Sequence, residues 1–178
     1  MRPATIARNY AEALFALAEK SGQAELYADL LDGVAAAIEV EPTVHAVLMS
    51  PRVTKPAKSR LLAAALPDAP REFVLFLQAV VKRGRQGLFR HIATEFMNLL
   101  DIRMNRVRAG ITLAHEPDET MRRSIAEGLR QALKKDVIPA YRVDPEILGG
   151  VVVRVGDRVF DGSVRRRVTK LRRQLLSR

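Results

Sequence analysis

Hydrophobic residues recur along roughly the first hundred positions at the three- and four-residue steps of a helix face, with polar residues between them. Ile6, Tyr10, Ala13, Leu14 and Leu17 mark a first helix, which Ser21-Gly22 ends. Leu26, Leu30, Val34 and Ile38 form a second stripe, closed by Pro42. A short helix follows through Val44, Val47 and Leu48 and stops at Pro51. Thr54 is placed to cap the next one, which carries Leu61, Leu62 and Leu66 and ends at Pro67. The run FVLFLQAVV from Phe73 to Val81 is apolar nearly all round, as both buried strands and central helices are. Its length with flanks, Arg71 to Arg83, and its helical neighbours favour a helix. Gly84 and Gly87 break the chain, and Leu88, Ile92, Phe96, Leu99 and Arg103 carry a last long helix. Six helices joined by short turns predict a compact bundle over residues 1–104.

The period changes near Asn105. Val107, Ala109, Ile111 and Leu113 alternate with Arg106, Arg108, Gly110 and Thr112, which is the period of a half-buried strand. Pro117-Asp118-Glu119 opens a helix bearing Met121, Ile125, Leu129 and Leu133, with acids facing the positive end of the helix dipole. Val137, Pro139, Tyr141 and Val143 alternate again. Val151 to Val155 and Arg158 to Phe160 flank a tight turn at Gly156-Asp157. Asp161 or Ser163 can cap a final helix bearing Val164, Val168, Leu171 and Leu175. Residues 105–178 thus read as a small strand-helix-strand-strand-helix unit. The fold class expected is mainly α, an N-terminal six-helix bundle followed by a small α+β domain.

Composition narrows the function. The 178 residues are 48% apolar and 28% charged, enough for one medium or two small domains with a real core. Aromatics make up only 5%, with no Trp, which weighs against a sugar-binding or base-stacking surface. The lack of Cys excludes disulfides, thiolate metal sites and Cys nucleophiles, and fits a reducing compartment. No apolar run approaches the length of a membrane span. The opening MRPATIARNYAEALF has no apolar signal region, and Glu12 within an amphipathic pattern argues against a transit peptide.

The net charge of +10 is unevenly spread. Residues 1–103 hold 13 Lys/Arg against 11 Asp/Glu, and residues 106–178 hold 17 against 9. After Asp161 come seven basic residues and no acidic one. A nucleic acid, an anionic membrane or an acidic protein partner would each fit this excess.

Catalytic chemistry finds little support. His45, His91 and His115 stand far apart and in different predicted elements, without HxxxH or HExxH spacing, so no metal site is expected. Gly149-Gly150 and Gly156 lack the Lys-Ser/Thr register of a phosphate loop, and GxGxxG is absent, so no nucleotide cofactor is expected. Ser163 lies outside any GxSxG and reads as a helix cap. Gly149, Gly150, Gly156, Asp157, Asp161 and Ser163 are therefore read as turn and cap residues. The basic segment Arg165-Arg166-Arg167 with Lys170, Arg172 and Arg173 is either a solvated helix face or a docking surface for an acidic partner or polyanion.

Two segments resemble one known family. Ala7-Arg8-Asn9-Tyr10-Ala11-Glu12-Ala13-Leu14-Phe15 resembles the opening helix of ATP synthase delta subunits, called OSCP in mitochondria. Val143-Asp144-Pro145 through Gly149-Gly150-Val151, then Arg154, Gly156-Asp157 and Asp161-Gly162-Ser163-Val164, resembles their C-terminal signature. Ser50-Pro51 followed by Lys58, and Arg83-Gly84-Arg85, fit the intervening pattern.

The resemblance implies a non-catalytic stator subunit. It would link the catalytic head to the peripheral stalk, so that proton-driven rotation is coupled to ATP synthesis. It also implies two partners: the N-terminal helix of an alpha subunit, held between the first and fifth helices, and the b-type peripheral stalk subunits, met by the C-terminal part. On this chain the first contact falls on Tyr10, Ala13, Leu14, Leu17, Phe76, Ala79, Val80 and Arg83, some of them also candidates for the bundle core. The expected location is the cytoplasmic face of a bacterial inner membrane, peripheral and held there through the complex. No nucleic acid is expected, although the basic C-terminus keeps a nucleic-acid binder as the rival reading, separable by its salt dependence.

Overall fold

A computed structural model describes residues 3–176. It is mainly helical with one small four-stranded sheet. The chain divides into two compact units, Met1–Leu100 and Asp101–Arg178, which are taken in turn.

The first unit contains α1 (Pro3–Ser21), α2 (Ala24–Val40), α3 (Pro42–Met49), α4 (Lys55–Ala65), α5 (Arg71–Lys82) and most of α6 (Phe89–Arg103). Its core gathers Leu14, Tyr27, Leu31, Leu48, Leu62, Phe73, Leu77, Val80 and Phe96 from all six. Edge-to-face ring pairs, Phe15 with Phe96 and Tyr27 with Phe73, add directional packing. Arg90 of α6 bridges Asp32 and Glu39 of α2 at 2.7 and 2.8 Å.

The buried faces differ from the stripes expected. On α1 the core-facing set is Ala7, Ala11, Leu14 and Ala18, all fully buried. The larger Ile6, Tyr10 and Leu17, together with Ala13, lie on its flank, half-buried or exposed. Alanines let α1 approach its neighbours closely and leave the bulkier stripe unspent. On α2 the buried face is Tyr27, Ala28, Leu31, Val34, Ala35 and Ile38: Val34 and Ile38 lie on it as expected, whereas Leu26 is exposed and Leu30 half-buried, one residue ahead of Tyr27 and Leu31.

Pro42 does more than close α2: it opens α3, where the Glu41 carboxylate accepts from Thr43 N–H. Thr54 sits at the start of α4 but makes no side-chain capping bond. Of the leucines expected on α4, Leu62 is buried, Leu61 is exposed, and Leu66 lies just past the helix end.

The second unit contains β1 (Arg106–Leu113), α7 (Glu119–Leu133), β2 (Asp136–Val143), β3 (Val151–Val155), β4 (Arg158–Asp161) and α8 (Val164–Leu176). These four strands are the four alternating segments expected, with both arms of the Gly156-Asp157 hairpin paired, one strand more than the strand-helix-strand-strand-helix outline counted. The strand order is β2-β1-β3-β4, with β1 parallel to β2 and antiparallel to β3. α7 is the crossover between the parallel pair, as such a pair requires. Asp118, not Pro117, marks its start, its carboxylate accepting from Met121 N–H at 2.7 Å.

Alternation in β1 buries Ala109, Ile111 and Leu113, against which Ile125 and Leu129 of α7 pack. The Tyr141 hydroxyl donates to the Arg122 carbonyl, tying β2 to α7. Asp101 is buried and accepts from Arg106 and Arg108, each at 2.7 Å, which pins the start of β1. Leu175, expected on the apolar stripe of α8, lies outside the described side chains.

Candidate partner-docking grooves

The flank stripe of α1 meets α5 in an open groove. Ile6, Asn9, Tyr10 and Ala13 form one wall, Phe76 and Ala79 the other, and Arg83 and Arg85 the end, around a cavity of about 370 Å³. Tyr10 stands edge-on to Phe76 at 6.1 Å between ring centroids. The Arg85 guanidinium lies 6.0 Å from the centre of the same ring, at the limit for a cation–π contact. The Tyr10 hydroxyl is buried without a hydrogen-bond partner among the described residues.

The end of α5 delivers the arginines. Gly84 takes φ of +70°, a conformation that L side chains resist. The chain folds back there: Gly84 N–H donates to Val81 O at 2.8 Å and Arg85 N–H to Val80 O at 3.0 Å. This paired closure of a helix C-terminus is the Schellman arrangement, and it returns Arg85 over Tyr10. A second groove of similar volume, about 370 Å³, runs between α4 and α5 beside Lys55, Leu75, Gln78 and Lys82. Ala79 borders both grooves.

Of the eight residues expected to meet a partner helix, Tyr10, Ala13, Phe76, Ala79 and Arg83 line the first groove. Leu14 and Val80 do not: both are fully buried in the core and can only support the groove from beneath. Leu17 is exposed but lies outside the groove lining. Ile6, Asn9 and Arg85 complete the lining. The helical steps from Tyr10 back to Ile6, and the Arg-Gly-Arg turn after α5, were the available signals for them.

The glycine-rich segment forms a clasp between two stretches of chain. Val164 N–H donates to Gly149 O at 3.0 Å, and Gly162 N–H donates to Val151 O at 2.9 Å. Gly150, with φ of +80°, lies so close to the Gly162 backbone that a Cβ there would stand 2.5 Å from the Gly162 carbonyl oxygen. Gly149 has φ of +152°, and Gly156, with φ of +56°, begins the turn that Asp157 completes. The Asp161 carboxylate accepts from Ser163 N–H at 3.0 Å, and the Ser163 hydroxyl accepts from Arg166 N–H at 3.1 Å, capping α8. The Ser163 amide and hydroxyl bonds, with Arg166 nearby, hold the Asp161 carboxyl below its ordinary range.

The basic residues of α8 have different surroundings. Arg165 pairs with Glu146 at 3.2 Å. Arg166, Arg167 and Lys170 line a cavity of about 740 Å³ facing β3 and β4. Arg172 and Arg173 are exposed and lie outside that cavity. Among the described residues, no group of three or more His, Asp or Glu is placed to hold a metal ion. No helix among them is long and apolar enough to cross a membrane.

The family model for the ATP synthase delta (OSCP) subunit matches residues 6–175. The chain belongs to the ATP synthase delta (OSCP) family. Relatives in this family include the ATP synthase subunit delta of Gemmatimonas aurantiaca, 47% identical over 96% of this chain and 93% of that one. The subunit delta of Desulforamulus reducens is 36% identical over 97% and 96%. A chain in the cryo-EM structure of the Toxoplasma gondii mitochondrial ATP synthase hexamer shares the fold, with a TM-score of 0.73 over 96% of this chain and 97% of that one at 20% identity. In this delta/OSCP chain the signature glycines Gly149, Gly150 and Gly162 are engaged in the clasp, and Gly162 also borders the cavity beside α8.

Proposed function

We propose that this chain is the non-catalytic stator subunit of an F-type ATP synthase, joining the catalytic head to the peripheral stalk. Residues 1–104 act as a six-helix bundle that grips the N-terminal helix of an alpha subunit. Residues 105–178 contact the b-type stalk subunits. The site of action is the cytoplasmic face of a bacterial inner membrane, reached through the complex. Rotation of the central shaft loads the head with torque, and a connector resists it through slowly dissociating contacts, not chemistry.

One observation supports the alpha contact above others. The α1/α5 groove is built from the stripe that α1 does not bury, and regularly spaced apolar anchors with a free flank are what a docking amphipathic helix uses. A peptide copying the alpha N-terminal helix is expected to bind the full chain. Tyr10→Asp, and Ala79→Glu at an already exposed position, should each weaken that binding tenfold or more, about 1.4 kcal/mol. Absence of binding at high micromolar peptide, or indifference to both substitutions, removes the groove from the account.

A further inference from the structure

The apolar face of the sheet is wider than the helix that covers it. Val153 pairs with Ile111 on one side and Phe160 on the other, so all three side chains share a face. α7 covers the β1 and β2 part of that face through Ile125 and Leu129. At the β4 edge cover runs out: Phe160 is 52% exposed, and Val159 on the opposite face is 55% exposed. α8 stands beside the bare strip without closing on it. Its root is fixed by the Ser163 cap and the Val164–Gly149 bond, and the space left is the cavity of about 740 Å³.

The two sides of this groove differ chemically. The floor is Val151, Val153 and Phe160, and the wall is Arg166, Arg167 and Lys170. Among the described residues Arg167 and Lys170 have no ion-pair partner. Arg166 donates to the Asp161 carbonyl at 3.4 Å and lies near the Asp161 carboxylate, which also borders the cavity. No acidic residue follows Asp161 to neutralise them. The floor calls for apolar side chains and the wall for carboxylates a few ångströms to one side. A five-residue strand gives a floor about 17 Å long, room for about three turns of a helix. Nucleic acid would match the wall and leave the floor bare.

We propose that the groove between the β3–β4 hairpin and α8 docks an amphipathic helix whose apolar stripe is bordered by carboxylates. Phe160 and Val151 receive the stripe over the buried Val153, and Arg166, Arg167 and Lys170 receive the acids. The proposal rests on the stalk-facing reading of residues 105–178 and gives that contact a location and a chemistry.

The test titrates the full chain with the soluble part of the b-type stalk subunit, at low and physiological salt. The triple variant Arg166→Gln/Arg167→Gln/Lys170→Gln should bind at least tenfold more weakly at low salt, with the gap narrowing as salt rises. Phe160→Ser should weaken binding at every salt concentration. All four positions are exposed, and unchanged amide NMR spectra outside the groove confirm folding. If the parent binds and neither variant is affected, the groove is wrong and the stalk reading stands. If the parent itself does not bind, the stalk reading falls, and the proposal with it. Vesicles of phosphatidylglycerol form the third arm: binding that the triple variant loses would make this a membrane-facing surface and overturn the proposal.

Discussion

Gly150 offers the sharpest test of the clasp. Replacing it with Ala places a Cβ 2.5 Å from the Gly162 carbonyl oxygen and 3.2 Å from the Ser163 Cα. Both neighbours are backbone, so no flexible side chain can swing away. Holding an L residue at φ of +80° costs about 1–2 kcal/mol. Relieving the contact loosens the Gly162–Val151 and Val164–Gly149 bonds, each worth about 0.5–1.5 kcal/mol. Together these come to about 2–5 kcal/mol. A unit of this size is stable by roughly 5–10 kcal/mol. The change therefore lowers its melting temperature by about 10–40 °C. Urea unfolding followed through the amide resonances of β1 and β3 isolates the second unit from the helices of the first. A variant within about 0.5 kcal/mol of the parent would refute the close-approach explanation of the signature.

Gly128, in the middle of α7 with open space where a Cβ would go, should show the opposite sign: Gly128→Ala stabilises the same unit by about 0.5–1 kcal/mol in the same titration. Asp101→Ala removes the buried carboxylate that accepts from both Arg106 and Arg108, and should cost about 2–3 kcal/mol by urea unfolding, less than a fully buried pair would. The Asp161 carboxyl has its folded-state pKa below the ordinary 3.8, so its contribution is complete above that pH and is lost as pH falls through the folded-state value. Protection of the Ser163 and Arg166 amides from hydrogen exchange should therefore drop at low pH in the parent, and be weak and pH-independent in Asp161→Ala.

The helices of the first unit were legible because hydrophobic spacing is a local signal. Which face each helix buries was less so. α1 turns alanines to the core, and alanine contrasts too little with its neighbours to mark a face, so the bulkier Ile6–Tyr10–Leu17 flank carries the stronger periodic signal. That same shift sends Leu14 into the core while Tyr10 and Ala13 remain in the groove. In the second unit, alternation located β1 and the Gly156 turn. The parallel pairing of β1 with β2, and the meeting of Gly150 with Gly162, join positions distant along the chain and leave no local pattern. Charge counting found the basic tail but could not divide it. Helical phase and the Glu146 partner separate Arg165 from the three side chains that face the sheet.

The two margins of the sheet have a consequence for the protein before it joins any assembly. An unpaired strand edge invites pairing with another chain, the route to fibrous aggregates. Here one margin is β2, interrupted by Pro139, which has no amide hydrogen to offer an incoming strand. The other is β4, only four residues long and bounded by Arg158 and Asp161. Neither margin offers a long run of free donors and acceptors. A chain protected in this way can remain dispersed while it waits for its place in a larger machine.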